Sequence, residues 1–267
     1  MIISVALCTY NGERFIERQL KTILNQTLPV NEIVIFDDNS EDSTVRIIRE
    51  LEEKYGAVIR LHINQPGLGV IKNFEKAIQS CLGDIIFLSD QDDEWEKNKV
   101  EVITNKFNQC QNDWLIFSNA QLIDEEGNTL PGTLWQKWGF TKEVQGLWKS
   151  NKLAFEELLE GRNRVTGATV AFRKELKKYI FPFDLPEYCW HDAWIAMIAA
   201  GENKMSFLEH CLTRYRIHPN QQVGVDTTRV YKKSNIFRYA AGIKIFYLFP
   251  IRSFKYFFHK TIYSFKR

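Results

Sequence analysis

The chain has few cysteines, and no two of them stand close together in the sequence. Its 267 residues include five, an odd and widely spaced set without a CxxC pair. Disulfide frameworks and zinc sites normally show even counts or close pairs, so neither is expected. We predict reduced, mostly buried thiols and a cytoplasmic compartment. The five residues are Cys8, Cys81, Cys110, Cys189 and Cys211.

Long hydrophobic runs and a charged leader are also missing. No uninterrupted apolar run approaches the roughly 18 to 20 residues that span a bilayer, so we expect no transmembrane helix. The sequence reaches a strand-like run at Ile2 without a charged leader or a cleavage site. This start predicts that no signal peptide is present and argues against secretion.

Charge is distributed unevenly along the chain. The formal net charge is only +2, but residues 229–267 contain ten Lys or Arg residues and no Asp or Glu. Because the whole chain has 35 basic and 33 acidic residues, residues 1–228 carry 25 minus 33, or −8. We therefore divide the chain into an acidic domain, residues 1–228, and a basic, aromatic tail, residues 229–267, that we predict to be helical.

Strand and helix patterns alternate through the first half of the chain. Short apolar runs rich in β-formers are separated by segments with apolar residues at helical spacing. This alternation predicts βαβ units, and hence an α/β fold with a mainly parallel central sheet flanked by helices. Such sheets bind ligands at the carboxyl ends of their strands. The predicted strands span residues 3–7, 32–36, 57–63, 84–88 and 114–117.

The middle of the chain is less regular. The turn-rich segment 127–150 contains Trp135, Trp138 and Trp148. It is either an ordered loop that covers a substrate or a plain hydrophobic flap. Regular elements then return, and we predict a strand at 165–172, a helix at 192–200 and a strand at 205–215.

Two of the predicted strands end in carboxylates. Asp37 and Asp38 follow the second strand, and Asp90, Asp92 and Asp93 follow the fourth. Like charges about 4 Å apart repel by roughly 4 kcal/mol at an effective dielectric constant near 20, so such a cluster favours a cation. Oxygen ligands suit Mg²⁺ or Mn²⁺, which typically bind a few carboxylates together with substrate phosphates. The alternative is an acidic turn that caps the following helix.

An ordered set of motifs resembles the glycosyltransferase family 2 enzymes of the GT-A fold. The set covers about residues 1–225 and is far more specific than any single motif. The form of the acidic motif, Gln-Asp-Asp-x-Trp, is close to the branch that contains bacterial rhamnosyltransferases. The matching segments are Val5–Gly12, Ile35–Ser40, Asn64–Phe74, Ser89–Trp95, Val165–Ala168, His191–Trp194 and Arg214–His218.

The resemblance implies a role for each carboxylate. Asp38 would accept a hydrogen bond from the imide N–H of uracil or thymine. Asp90 and Asp92 would hold the divalent ion, with Asp93 in support, and Asp192 would be the general base of an inverting displacement. The alternative interpretation of both Asp38 and Asp192 is that each caps the start of a helix. The implied nucleotide contacts are Thr9, Tyr10, Asn11, Asp38, Lys72, Asn73 and Asp90, and the implied sugar or acceptor contacts are Asp93, Gly167, His191 and Trp194.

Each of three further residues has two alternative interpretations. His218 is either a ligand of the metal or diphosphate, or a surface histidine. His191 either contacts the acceptor or orients Asp192, and Lys72 either reaches the nucleotide or is a solvated helix lysine. The Gln-x-x-Arg-Trp motif of processive family members is missing, and Arg214–His218 stands in its place. This difference favours the transfer of a single sugar.

The basic tail combines bulky apolar residues with Lys and Arg. Such segments lie in the headgroup region of anionic membranes, which suits a lipid-linked saccharide acceptor and a peripheral position on the inner face of the cell membrane. The alternatives are helices packed on the domain or in a dimer interface. Nucleic-acid binding is not expected, because no recognition motif accompanies the charge.

The resemblance predicts transfer of rhamnose from dTDP-rhamnose to a saccharide in bacterial surface-polysaccharide biosynthesis. A UDP-hexose donor is the alternative, because an aspartate that reads the imide edge cannot distinguish uracil from thymine. A non-catalytic, carbohydrate-binding member of the fold is a second alternative. A nucleotidyltransferase is disfavoured, because no glycine-rich, basic loop follows the first strand.

Overall fold

The computed structural model describes residues 1–183, 185, 189–219 and 221. Its first half follows the predicted alternation of strands and helices. The elements in chain order are β1 (Ile3–Thr9), α1 (Ile16–Leu24), β2 (Glu32–Asp37), α2 (Thr44–Tyr55), β3 (Ile59–Ile63), α3 (Val70–Ser80), β4 (Ile85–Ser89), β5 (Glu94–Trp95) and α4 (Lys99–Gln109).

The second half contains more short elements than the sequence predicts. They are β6 (Leu115–Ile123), β7 (Thr129–Thr133), α5 (Leu134–Lys137), α6 (Lys142–Trp148), α7 (Lys152–Leu159), β8 (Val170–Arg173), α8 (Lys177–Ile180), α9 (His191–Gly201) and β9 (Met205–Arg216). No helix among the described residues is both long enough and apolar enough to cross a bilayer. The predicted domain boundary at 228 and the tail lie outside the described residues.

The central sheet is mixed rather than mainly parallel. Its order is β3-β2-β1-β4-β8-β6-β9-β5, with β7 beside β6. The strands β1 to β4 pair in parallel, as the βαβ pattern predicts. Beyond them β8 runs antiparallel to both of its neighbours, β4 and β6. The predicted α/β fold is confirmed, and the carboxyl ends of β1 to β4 lie on the same side of the sheet.

Two predicted boundaries in the second half are wrong. The strand expected at 165–172 begins only at Val170, because Gly167–Thr169 form a 3-10 turn in which the amide of Thr169 donates to the carbonyl of Thr166. The segment 127–150 is a strand and two helices rather than a loop. The side chains of Thr133 and Thr141 cap these helices by accepting backbone N–H bonds, a local signal typical of helix starts.

Both faces of the sheet are covered by helices. Along β1, Val5 and Leu7 belong to one apolar cluster, whereas Ala6 and Cys8 belong to the other, as the period of a strand requires. The cluster around Val5 includes α1, α2 and α4, and the cluster around Ala6 includes α3, α7 and α9. Nearly every residue of α9 is buried, which makes this helix a rigid support for its own N-terminus.

Candidate active site

The carboxyl ends of β1, β2 and β4 open into a cavity of about 610 Å³. The cavity is also lined by residues 161–167, by the start of α9 and by Trp138. Most of the predicted site residues therefore meet in one space. Those that line it are Thr9, Tyr10, Asp38, Asn73, Asp90, Asp92, Gly167, His191, Asp192 and His218.

The ends of β1 and β2 are tied together by short polar contacts. The hydroxyl of Thr9 donates to Oδ2 of Asp37 over 2.7 Å, and Asp37 also accepts the amide of Ser40. Asn11 adopts a positive φ of 45°, and its amide donates to the hydroxyl of Ser40. Asn11 lies outside the cavity wall, because its side chain accepts the amide of Glu41 instead. Its position differs from that expected of a nucleotide contact.

Asp38 holds the loop that follows β3. Its Oδ1 accepts the side-chain amide of Asn64 at 3.0 Å and the backbone amide of Leu68 at 2.7 Å. Its Oδ2 accepts the amide of Gly69 at 2.8 Å. A carboxylate oxygen accepts about two hydrogen bonds, so Oδ2 keeps capacity for one more donor on the cavity side. Asp38 therefore shapes the pocket and can still receive a ligand N–H.

The two neighbouring residues of α3 are placed differently from each other. Asn73 is buried, and its side chain donates to the carbonyl of Phe36 and accepts from Asn64, both over 2.8 Å. Lys72 lies outside the cavity wall because its ammonium group pairs with Glu75 at 2.5 Å. The structure thus gives Lys72 a local ion pair rather than the predicted position at the nucleotide.

The loop after β4 is fixed to the β1 turn and to β9. The side-chain amide of Gln91 both donates to the carbonyl of Tyr10 and accepts its amide, over 3.0 and 2.8 Å. Oδ2 of Asp92 lies 2.8 Å from Nε2 of His218. Asp93 points inward rather than into the cavity: its Oδ1 accepts the amide of Arg216, and its Oδ2 is buried without a partner.

Arg216 anchors the acidic loop from behind. Its side chain is fully buried, and its Nε donates to the carbonyl of Asp92 over 2.7 Å. One terminal nitrogen donates to the carbonyls of Asp124 and Glu125, and the other pairs with Glu94 at 2.6 Å. An arginine that is bonded on three sides fixes the loop geometry more tightly than a single contact would.

The acidic loop is short of positive charge. Burial raises the pKa of Asp90 to about 7, and the nearby carboxylates of Asp92 and Asp192 contribute to the rise. Burial also raises the pKa of Asp93 well above its usual range. Lys99 is fully buried beside them, and its pKa is lowered to about 7 by burial. Its ammonium group donates to the carbonyl of Ala168 and to the hydroxyl of Thr213 rather than to a carboxylate.

Asp192 lines the same cavity and belongs to the first turn of α9. Its Oδ2 accepts the amide of Gly167 at 3.0 Å, and its Oδ1 accepts the amide of Ala193 at 2.6 Å and the side chain of Asn163 at 3.3 Å. Burial raises the pKa of this carboxyl to about 6, and the N–H donors oppose the rise. A carboxylate with this pKa is ionised at neutral pH and is basic enough to accept a proton.

Two other residues in the first turn of α9, His191 and Trp194, pack in the hydrophobic core. The ring of His191 stacks on Phe74, with centroids 4.0 Å apart, and burial lowers its pKa to about 3. The imidazole of His191 is therefore neutral and offers no positive charge to a phosphate. Trp194 lies outside the cavity wall, because it is buried in the core and its indole N–H donates to the carbonyl of Ile180 over 2.9 Å. Its position differs from that expected of a sugar contact.

Several site residues were not singled out from the sequence. Gln91 lies inside the acidic motif, and its place in that motif was the only available signal. Lys99 has no signal in sequence, because an isolated basic residue does not reveal that it will be buried. Arg216 lies inside the matching segment Arg214–His218, but that segment did not indicate its contact with the acidic loop. Asn163 comes from a region without a clear pattern, and Trp138 was named only as one of three tryptophans in segment 127–150; only the folded chain brings both to the cavity.

Comparison with known proteins identifies relatives across most of the chain. A family model described as Glycosyl transferase family 2 matches residues 4–178. The dTDP-rhamnosyl transferase RfbG of Shigella flexneri is 30% identical over 232 residues, which cover 82% of this chain and 74% of that protein. An uncharacterised glycosyltransferase of Nostoc is 27% identical over 92% of this chain and 79% of its own length.

Solved structures match the fold. S. aureus TarS 1-349 in complex with UDP-GlcNAc has a TM-score of 0.63 at 18% identity, over 91% of this chain and 64% of that chain. The complex of TarS 1-349 with UDP has a TM-score of 0.60 at 19% identity, over 82% and 61% of the two chains. This chain thus spans less than two thirds of the TarS chain. The described residues have the fold of the GT-A glycosyltransferases.

Proposed function

The chain belongs to glycosyl transferase family 2, and from this premise we propose that it transfers one sugar from a nucleoside diphosphate to a saccharide acceptor with inversion at the anomeric carbon. The observation that carries the proposal is the placement of Asp192. Its carboxylate lines the same cavity as Asp90 and Asp92 and lies close enough to Asp90 to help raise the pKa of that carboxyl. A nucleotide sugar bound in this cavity would have its diphosphate at Asp90 and Asp92 and its reacting carbon towards Asp192.

The charge of the cavity supports a divalent cation as cofactor. Four carboxylates line it, those of Asp38, Asp90, Asp92 and Asp192. The two arginines in the wall, Arg162 and Arg164, both pair with Glu157. A diphosphate entering this space would meet net negative charge unless a cation accompanied it.

The residues present fit Mg²⁺ or Mn²⁺. Asp90 and Asp92 offer oxygen ligands, and the pKa of Asp90 is raised by burial and, to a smaller extent, by the carboxylates of Asp92 and Asp192. His218 lies against Asp92 and would orient that carboxylate or ligate the ion itself. No three His, Cys, Asp or Glu side chains in the described part of the chain are grouped to hold an ion alone, so the diphosphate would complete its ligands. When bound, the ion would stabilise the charge on the departing diphosphate.

Asp192 would act as the general base. It removes the proton from the acceptor hydroxyl as that oxygen forms a bond to the anomeric carbon. The bond from this carbon to the diphosphate oxygen breaks on the opposite face, and its electron pair leaves with the nucleoside diphosphate. One such displacement inverts the configuration. The hydrogen bonds from Gly167 and Ala193 keep the carboxylate in place, because both are backbone donors.

We propose dTDP-rhamnose as the donor, in the assembly of a surface polysaccharide. Support comes from the name of the relative RfbG and from Asp38, whose Oδ2 can accept one further N–H. A UDP-linked sugar is the second candidate, because the TarS structures contain UDP and UDP-GlcNAc. Thymine and uracil present the same imide N–H, so Asp38 supports both donors.

We also propose that residues 229–267 hold the enzyme to the inner face of the cell membrane, near a lipid-linked acceptor. The support is their ten basic residues interleaved with aromatic ones. The full chain should sediment with vesicles that contain phosphatidylglycerol and not with phosphatidylcholine vesicles, and 0.5 M salt should release it. A chain ending at residue 228 should stay in solution. Equal sedimentation of the two chains would favour packed helices instead.

The enzymatic proposal is tested with radiolabelled dTDP-rhamnose and UDP-glucose, each with Mn²⁺ and with chelator. Asp192→Asn should keep its affinity for the nucleotide but lower turnover by roughly 100-fold or more. Asp92→Ala should lose the metal-dependent part of nucleotide binding. Asp113→Asn, a half-buried aspartate outside the cavity wall, is the matched control and should behave as the wild type does. Near-normal turnover of Asp192→Asn would show that another group is the base.

A further inference from the structure

The three tryptophans of segment 127–150 have different surroundings. Trp135 and Trp148 are 4% and 1% exposed and belong to the apolar core beneath the sheet. Trp138, which follows α5, is only partly buried and lines the cavity. It packs against a separate apolar cluster that includes Ala168 and Tyr215. Part of the Trp138 side chain is therefore supported by protein, while part is available to a ligand.

Hydrogen bonds fix the orientation of Trp138. Its indole N–H donates to the hydroxyl of Thr166 over 3.1 Å, and its carbonyl accepts a hydrogen bond from Arg164. The next residue after Thr166 is Gly167, which holds Asp192. The indole and the proposed base are thus attached to the same short segment, residues 163–167.

Trp138 lies towards the end of the cavity that is away from Asp38. Asp38 directly follows β2, near one edge of the sheet, whereas α5 packs on β6, four strands further along the sheet order. The acidic loop after β4 lies between them, and the 3-10 turn that holds Asp192 leads into β8. A donor that extends from Asp38 to the acidic loop leaves the region around Trp138 for the second substrate.

We propose that Trp138 is the platform for the acceptor sugar ring, an inference that rests on the proposed function. The C–H groups on one side of a pyranose form an apolar surface, and an indole face attracts them by area burial and by its negative quadrupole. The segment 163–167 sets the distance between this platform and the Asp192 carboxylate. The acceptor is therefore a pyranoside bound with one hydroxyl towards Asp192.

The test replaces Trp138 by Phe and by Ala in the full chain and uses p-nitrophenyl pyranosides as acceptor probes. A truncated aromatic anchor typically weakens binding by 10- to 100-fold, so the KM for the glycoside should rise about 30-fold in Trp138→Ala. Trp138→Phe keeps an aromatic face, so the KM for the glycoside should rise only about threefold. Trp114→Ala is the matched control, because Trp114 is also half-buried but stacks on Tyr179 outside the cavity wall.

Two donor-side readouts separate this inference from the proposed function. Donor hydrolysis without acceptor and the metal-dependent binding of UDP or dTDP should change less than twofold in both Trp138 variants. If the KM for the donor rises as much as that for the acceptor, Trp138 touches the donor sugar and the inference is wrong. If the wild type neither binds a nucleotide nor transfers a sugar, the proposed function fails and the inference fails with it.

A measurement independent of turnover uses protein labelled with 5-fluorotryptophan. The ¹⁹F resonance that is missing in Trp138→Phe belongs to Trp138, and it should shift when the glycoside is added in the presence of Mg²⁺ and nucleoside diphosphate. The resonance missing in Trp114→Phe should stay in place. If the Trp138 resonance does not shift at glycoside concentrations above the KM, Trp138 is not the platform for the acceptor sugar.

Discussion

The backbone amide of Gly167 donates a 3.0 Å hydrogen bond to Oδ2 of Asp192. This bond joins the 3-10 turn before β8 to the first turn of α9, two elements from different parts of the sequence. It holds the proposed base by a main-chain group that no side-chain change can remove. The position of Asp192 therefore depends on the backbone path at Gly167, and this dependence can be tested.

Replacing Gly167 by alanine should move the base without removing it. The new Cβ would lie 3.1 Å from Nε2 of His191, which must shift by a few tenths of an ångström, whereas its distance of 3.7 Å from Cβ of Asp192 is an ordinary van der Waals contact. Because His191 directly precedes Asp192 in α9, a shift of His191 displaces the carboxylate as well. We expect turnover to fall about tenfold, because small displacements of catalytic groups are costly, while nucleotide affinity is kept. Gly146→Ala is the control, since a Cβ there meets nothing within 4 Å. Equal turnover in the two variants would contradict the role of this bond.

The pH dependence of turnover should report the ionisation of Asp192. Burial raises the pKa of this carboxyl to about 6, and only the ionised form can accept a proton. Turnover should therefore be level above about pH 6 and fall about tenfold per pH unit below it. Asp90 also has a raised pKa, but protonation of a metal ligand competes with the ion. If the pH at which turnover falls changes with Mn²⁺ concentration, the fall reports the protonation of Asp90. If that pH stays the same, the fall reports the protonation of Asp192.

Exchanging Arg216 for lysine should loosen the acidic loop. Lysine keeps the charge but has a single nitrogen, so it cannot bond the carbonyls of Asp92 and Asp124 together with Glu94 as arginine does. We expect the free energy of unfolding in urea to fall by roughly 3 kcal/mol, from the loss of about two charge-assisted hydrogen bonds. Metal-dependent nucleotide affinity should also fall, by about tenfold.

Arg18→Lys is the matched control for this change. Arg18 also pairs with Glu94, at 3.3 Å, but half of its side chain is exposed. Exposed ion pairs contribute about 1 kcal/mol or less, so this variant should stay close to the wild type. If Arg216→Lys kept full nucleotide affinity despite a loss of stability, the arginine would support the fold without positioning the loop.

Asp38→Asn should separate base recognition from support of the loop. Asparagine has one acceptor oxygen, so it loses one of the loop contacts from Leu68 and Gly69. It also presents an N–H to the imide N–H of uracil or thymine. We expect the affinity for UDP and dTDP to fall about tenfold and that for CDP to fall less, as measured by calorimetry. An equal loss for every nucleotide would mean that Asp38 only supports the loop.

The sequence predicted the parallel half of the fold well because each strand there is joined to the next by a helix. The carboxylates at Asp38, Asp90 and Asp92 could be located for the same reason, since strand ends in such a sheet share an edge. Asp192 depended on the family resemblance. Its surroundings in the fold, the amide of Gly167 and the side chain of Asn163, come from a segment without periodicity.

The remaining differences come from contacts between distant parts of the chain. Arg216 reaches the acidic loop across 124 residues, and no local pattern marks such a contact. The antiparallel strand β8 follows a turn and several short helices, so its direction was not fixed by a βαβ connection. The three tryptophans of segment 127–150 differ in burial because of packing, which sequence spacing does not reveal.

Thermal unfolding with nucleotides tests whether the cavity binds a nucleoside diphosphate together with a metal ion. The wild type is heated with dTDP, UDP, GDP or CDP, each with Mn²⁺ and with chelator. A ligand at one hundred times its dissociation constant stabilises the native state by about 2.7 kcal/mol, which for a domain of this size is roughly 5 to 10 °C. The account predicts a shift of this size with dTDP or UDP that needs Mn²⁺ and is absent in Asp92→Ala. No shift with any nucleotide, or an equal shift with chelator, would contradict it.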